Sequence, residues 1–217
     1  MNFFDILRSH AQHLSDFVAT ASPRHRLTTY RQLWSRIERA SSRLQGEWLV
    51  GPGDIVIYSG HAHPDALVLW LALARLRAVL MPLEDAALQE GADVLVHRHD
   101  VRLLLHDDDL PAPLSGDFCA CMMLSTLIAR RCDYEVQDCT QSTTGISLSC
   151  PDPASLIAPP STFSLDALLV HPPSRPAAML GADKQATLPG LSRLFDPQRL
   201  RQQILPALSK GLPLMLE

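Results

Sequence analysis

Between Leu27 and Leu83 the chain reads helix, strand, helix, strand, and its two strands are nearly continuous apolar runs, which restricts the fold more than any other stretch. Asp54-Ile55-Val56-Ile57-Tyr58 and Val79-Leu80-Met81 lack the polar alternation of a half-exposed strand, and such runs are buried on both faces of a parallel sheet. Between them Pro64 opens a helix at the position where its missing N–H costs nothing, and the helix runs to about Arg77. Strand, helix and strand within about 30 residues make a crossover unit, whose hand is right-handed. The predicted fold class is therefore α/β, a three-layer domain with a mostly parallel sheet between helices.

The flanking segments extend this pattern. Asn2 to Leu14 reads as a helix capped by Asn2, with Phe3, Phe4, Leu7, Ala11 and Leu14 at helical intervals. Thr29, three residues before Gln32, has the form of a capping box, and Tyr30, Leu33, Trp34, Ile37 and Leu44 line one face of the helix that follows. Gly51-Pro52-Gly53 breaks the chain before the first strand, and Pro82 is expected to end the second. Asp93 to His97 fits a strand, yet Leu88, Ala92, Leu95, Val96 and His99 fit one helix face; the helix is preferred because it makes Val101 to His106 the next buried strand. Phe118 to Met123 then reads as a strand and Ser125 to Arg131 as a short helix. From Gln137 onward Ser, Thr, Pro and Gly predominate and loops are expected, until Asp196-Pro197 caps a helix with Leu200, Ile204, Leu205 and Leu208 on one face.

With 217 residues, 47% of them hydrophobic, the chain can bury a substantial core. Its net charge of −4 and its scattered arginines leave no basic stripe, so nucleic acid is set aside as a partner. The N-terminal residues lack the form of a signal peptide, and the longest apolar run, Ala66 to Leu76, is interrupted by Arg75 and falls short of the ~20 residues a span needs. A soluble, cytoplasmic protein without a membrane span is expected. Five cysteines, Cys119, Cys121, Cys132, Cys139 and Cys150, are an odd number without an export signal, so reduced thiols are expected, and Cys119-x-Cys121 is read as core rather than as half a metal site.

Three other clusters bear on chemistry. His61-x-His63 has a spacing that can hold a metal at a strand end, but no carboxylate or Cys visibly converges on it, and His63 before Pro64 serves as a polar helix start. His97-x-His99, if helical, points two ways. Asp107-Asp108-Asp109 ends a strand, where ligands often bind in open α/β sheets, and is read as a solvated turn. No Gly-x-Ser-x-Gly, Gly-x-Gly-x-x-Gly or His-Glu-x-x-His occurs, so hydrolase, dehydrogenase and metalloprotease readings have no starting point.

The opening FFDIL helix, Leu27-Thr28-Thr29-Tyr30 at the start of the second helix, Gly53-Asp54 before a strand and Pro82-Leu83 after one together resemble the N-terminal part of the adenylate-forming ligases. This AMP-binding superfamily includes acyl-CoA synthetases, fatty acyl-AMP ligases and peptide-synthetase adenylation domains. The resemblance covers roughly Asn2 to Leu110 and rests on scaffold residues. It implies a Ser/Thr/Gly-rich loop ending Gly-x-Pro-Lys-Gly that wraps ATP phosphates. Thr140 to Ser149 occupies the expected place, and Ser142, Thr143, Thr144 and Gly145 are the candidate phosphate-binding remnant. Ser142 stands where a glycine is expected, and Ser147, Leu148 and Ser149 stand where Pro-Lys-Gly should be. The two lysines, Lys184 and Lys210, lie far away in sequence. The family's Tyr-Gly-x-Thr-Glu, its later Thr-Gly-Asp and its lysine-bearing C-terminal domain do not occur in this sequence. The pyrophosphate charge that develops as a carboxylate attacks the α-phosphate would lack a preorganised partner.

The tail, Leu188 to Glu217, weakly resembles the family's next segment. The resulting division is a ligase-like N-terminal subdomain over 1–136, a Ser/Thr/Pro-rich connector with the degenerate loop over 137–190, and over 191–217 a C-terminal helix and strand that start a truncated second subdomain. The expected function is a truncated, catalytically incomplete ligase-like protein. It has no catalytic or metal residues and no required cofactor, and it acts through a protein partner, a homodimer, or a retained acyl or nucleotide ligand. The alternative is one part of a split acyl- or aminoacyl-AMP ligase that binds ATP or AMP.

Overall fold

The computed structural model describes residues 2–22, 25–83, 94–108, 119–129, 134–136, 146–150, 160–169 and 191–215. Two capped helices open the chain. In α1 (Phe3–His13) the Asn2 side chain accepts from the Asp5 N–H while the Asp5 carboxylate accepts from the Asn2 N–H. In α2 (Tyr30–Gly46) Thr29 and Gln32 form the reciprocal pair that their spacing predicts. Each box satisfies two N–H groups that the first turn cannot. Replacing Thr29 by Ala should lower stability by about 1 kcal/mol, read as a shifted urea midpoint at unchanged slope.

Six strands form the central sheet in the order β6-β5-β3-β4-β7-β8. They are β3 (Ile55–Ser59), β4 (Val79–Leu83), β5 (Val101–His106), β6 (Ala120–Met123), β7 (Ile146–Cys150) and β8 (Ser161–Ser164). All pairings are parallel except β7 with β8. Helix α3 (Pro64–Arg75) links β3 to β4, and a helix over 94–99, α4, precedes β5, as the choice of helix over strand there requires. α5 (Leu124–Ala129) follows β6.

Alternate strand residues feed two cores, which makes the three layers. Val56, Tyr58, Leu80, Leu103, Leu105 and Leu148 face the large core with α2, α3 and α5. Ile57, Met81 and Leu104 face the other side, where Leu95 and Val96 of α4 cover them. The fold is therefore α/β with a mostly parallel sheet between helices, as the apolar runs imply.

Several features differ from the expected pattern. Val18 to Thr29 supplies an antiparallel pair, β1 (Val18–Ser22) and β2 (His25–Thr29), joined in parallel by β9 (Leu214–Met215). Pro82 lies within β4 rather than after it, opposite Tyr58. On the other side of β4 the described pairing to β7 is at Leu80 alone, so Pro82 falls where a lost donor costs little. The region read as loop contributes β7, β8 and α6 (Leu165–Leu169). Toward the C-terminus come α7 (Leu191–Leu194), α8 (Pro197–Arg199), a π turn (Leu200–Ile204) and α9 (Leu205–Ser209). Leu200, Ile204, Leu205 and Leu208 are all buried, as their spacing predicts. The π turn has a local cause: Pro206 has no N–H for the carbonyl four residues back, and the Leu205 N–H reaches Leu200 O instead.

Candidate functional site

Ligands of open parallel sheets gather at the carboxyl ends of the strands. There, Ser59 of β3 pairs with His106 of β5, which places the residues after each strand side by side. The Asp107 N–H donates to Ser59 O at 3.3 Å. Asp107 is not the solvated turn residue that its sequence suggests, for only 7% of it is exposed. Its Oδ1 accepts from the Tyr58 hydroxyl at 2.8 Å and from His63 Nε2 at 2.9 Å, and its Oδ2 accepts from the His61 N–H at 2.6 Å. A carboxylate thus converges on the histidine pair after all. Asp108, by contrast, is exposed and accepts from the Ser125 hydroxyl at 2.6 Å.

The chemistry of this cluster follows from its donors. His63 is also the N-cap of α3, and its Nδ1 accepts from the Asp65 N–H at 3.1 Å. A ring that accepts at Nδ1 carries its neutral-state proton on Nε2, where it donates to Asp107. Both nitrogens are committed, so the ring ties α3 to the end of β5 and has no lone pair free to act as a general base. Burial pushes the Asp107 pKa up, but hydrogen bonds from His63 and the His61 N–H, the charge of His63 and the Tyr58 hydroxyl more than offset it, and the net shift is downward. Gly60 is required by the same cluster, since a β-carbon there would overlap the Tyr58 hydroxyl and the Asp107 carboxylate. Arg36 completes the anchorage by bonding Asp65 at 2.6 Å across α2 and α3.

Ser142, Thr143, Thr144 and Gly145 lie outside the described residues. Ile146, the next residue, opens β7, and because β7 runs parallel to β4 this is the amino end of the sheet. Ser147, Leu148 and Ser149 are strand, at most 3% exposed, and Trp70 Nε1 donates to Ser147 O at 3.2 Å. In sequence, Pro151 to Pro160, between β7 and β8, contain neither glycine nor lysine.

Of the other candidates, His97 is exposed on α4, while burial and then the charge of Arg98 lower the pKa of His99. Among the described residues no group of three His, Cys, Asp or Glu could hold a metal. Cys119 and Cys121 are half-buried against the smaller core, and Cys150 packs on the larger one. Burial raises all three thiol pKa values, that of Cys150 to about 11 with a contribution from Asp196, so these thiols are not poised as nucleophiles. Cys132 and Cys139 lie outside the described residues. Among those residues, no helix is long and apolar enough to cross a membrane.

Comparison with known proteins agrees with this architecture. A D-alanine–D-alanyl carrier protein ligase of Bacillus licheniformis is 27% identical over 107 residues, which is 49% of this chain and 21% of the ligase. A carboxylic acid reductase of Mycobacterium tuberculosis is 36% identical over 74 residues, 34% of this chain and 6% of the reductase. Klebsiella oxytoca NpsA in complex with 3-hydroxyanthranilyl-AMSN superposes with a TM-score of 0.68 at 23% identity, covering 99% of this chain and 42% of NpsA. That likeness shows the shared fold, and the chain spans about a fifth of one curated relative's length and 6% of the other's. The AMP-binding enzyme family matches residues 7–157, and by that match the chain belongs to it.

Proposed function

We propose that this adenylate-forming-ligase-like chain does not adenylate by itself and acts through a protein partner in an acyl- or aminoacyl-activation pathway. One observation carries the reading: Ser147-Leu148-Ser149, where the family places Pro-Lys-Gly, is buried strand. A side chain there is enclosed by β4 and β8 and offers no flexible cation to a nucleotide. The sequence from Pro151 to Pro160 adds no glycine whose backbone could approach phosphates and no lysine to neutralise them. At the neighbouring strand ends the His63–Asp107 pair is occupied in holding α3. The residues present do not fit ATP as a reactant.

A partner reading has its own support. One curated relative is named for a carrier protein, which makes a carrier domain the first candidate. A second copy of the chain is the other protein candidate. Ser142, Thr143, Thr144 and Gly145 are where a retained nucleotide would be sought.

The test is ATP–pyrophosphate exchange with a panel of carboxylic and amino acids, alongside thermal unfolding with magnesium-ATP, AMP and a non-hydrolysable acyl-adenylate. The expected result is no exchange above background and no shift of the midpoint. Saturation at 100 times Kd would stabilise by about 2.7 kcal/mol, so retained binding would not be missed. Exchange by the purified chain would overturn the proposal. A nucleotide shift abolished by Thr143→Ala with Thr144→Ala would favour the split-ligase alternative.

A further inference from the structure

At the edge of the central sheet a row of sulfur-bearing side chains shares one face. β6 is the end strand beside β5, and its alternation sends Ala120 and Met122 toward the large core while Cys119 and Cys121 pack against the smaller one. Cys119 stands at the bend just before β6 and Met123 ends the strand, so the same alternation carries a thiol, a thiol and a thioether along one face. Both cysteines are half-buried and Met123 is exposed, so the row reaches solvent.

The spacing decides what such a row can hold. A strand rises about 3.3 Å per residue, so side chains two positions apart on one face start roughly 6.6 Å from each other. A disulfide needs β-carbons about 3.5–4.5 Å apart, and closing one here would require the backbone to move. A linear sulfur–metal–sulfur unit with bonds of about 2.3 Å spans about 4.6 Å, which two thiols reach by leaning toward each other. The pair is already within electrostatic reach, because burial and then the charge of Cys121 raise the pKa of Cys119.

Donor chemistry narrows the ion. Among the described residues no third His, Cys, Asp or Glu joins the pair, so zinc, which takes four donors in a structural site, has no set here. Thiolate and thioether are the soft ligands that select monovalent copper, an ion that two thiolates satisfy. Leu104 lies beside Cys121 in the strand register and gives the pair an apolar wall, which suits a soft, weakly hydrated ion.

We propose that Cys119 and Cys121 bind one monovalent copper ion between their sulfurs, with the Met123 thioether on its outer side. Binding releases the two thiol protons and leaves a bis-thiolate complex with one negative charge; copper enters and stays as Cu(I), so nothing is oxidised or reduced. The site uses none of residues 142–145 and does not depend on whether the chain adenylates anything.

The experiment titrates the reduced full chain without oxygen against Cu(I) held by bicinchoninate, whose colour reports the copper it gives up, and records X-ray absorption of the loaded protein. One equivalent should transfer, with a Kd in the nanomolar range or tighter and with sulfur neighbours at about 2.3 Å. Cys119→Ser with Cys121→Ser should weaken retention of that equivalent by about a hundredfold or more, and the double alanine variant serves if the serine variant does not fold. Changing Cys132, Cys139 and Cys150 together to Ser should leave the equivalent in place. Met123→Leu should weaken it several-fold without removing it. No transfer from bicinchoninate, an equivalent that survives the loss of both Cys119 and Cys121, or one that disappears with the other three cysteines would each overturn the proposal, and unchanged affinity in Met123→Leu would overturn the part given to the thioether.

Discussion

Trp70→Ala is expected to be the most damaging single change in the described structure, at about 3–5 kcal/mol. Trp70 is fully buried in the middle of α3, stacks edge-on against Phe195 at 6.3 Å and donates to Ser147 O at 3.2 Å. It thereby joins the crossover helix to β7 and to the turn after α7, segments far apart in the chain. Truncation removes the indole, opens a cavity that α3 cannot collapse to fill, and leaves a strand carbonyl unpaired. For a domain of this size the loss corresponds to roughly 6–20 °C in thermal midpoint. Trp70→Phe separates the two parts, since it keeps most of the packing and forfeits the hydrogen bond; about 1–2 kcal/mol is expected. Equal losses for the two variants, measured by chemical denaturation, would show that Trp70 does not bridge these segments by packing.

Asp107→Asn should cost about 3 kcal/mol near neutral pH. The amide cannot satisfy its neighbours in either orientation. With oxygen toward Tyr58 and His63, its NH2 meets the His61 N–H; turned round, its NH2 meets His63 Nε2, which can accept only if Nδ1 takes the proton and loses the Asp65 N–H. The pH dependence has a definite sign. The folded-state pKa of Asp107 is held below its ordinary value of 3.8, so its contribution is complete above that value and is lost as pH falls through the lowered one. The gap between wild type and Asp107→Asn should therefore narrow below about pH 4, as urea unfolding at a series of pH values would reveal. A gap that stays constant into strong acid would mean that Asp107 is not ionised in the folded protein.

At the carboxyl end of the sheet, Tyr58, His63 and Asp107 satisfy one another. Catalytic groups need a free lone pair or proton at the reacting position, which this cluster does not offer.

Local elements were legible where a short stretch of residues suffices to define them. The cap at Asn2, the box at Thr29, Pro64 at the head of α3, and the apolar runs of β3, β4 and β5 each act over a few residues and leave a period or a spacing to read. β7 was missed because Ile146-Ser147-Leu148-Ser149-Cys150 alternates serine with apolar residues, and its serines are buried only because β8 returns beside it. The Asp107 cluster was missed for a related reason. Asp107 follows β5 and His63 precedes α3, 44 residues apart, and they meet only because the parallel register sets Ser59 against His106.

By itself the sequence determined the helices α1, α2 and α3, the strands β3 and β5, the parallel α/β class and the absence of a lysine near Ser142 to Gly145. Periodicity, capping and composition are properties of the chain before it folds. Only the tertiary structure decided that Asp107 is buried and paired, that Ser147 to Ser149 is sheet and that Arg77 Nε is buried without a hydrogen-bond partner. Each of those depends on which strands lie side by side, and strand adjacency is a contact between distant residues that no local pattern encodes.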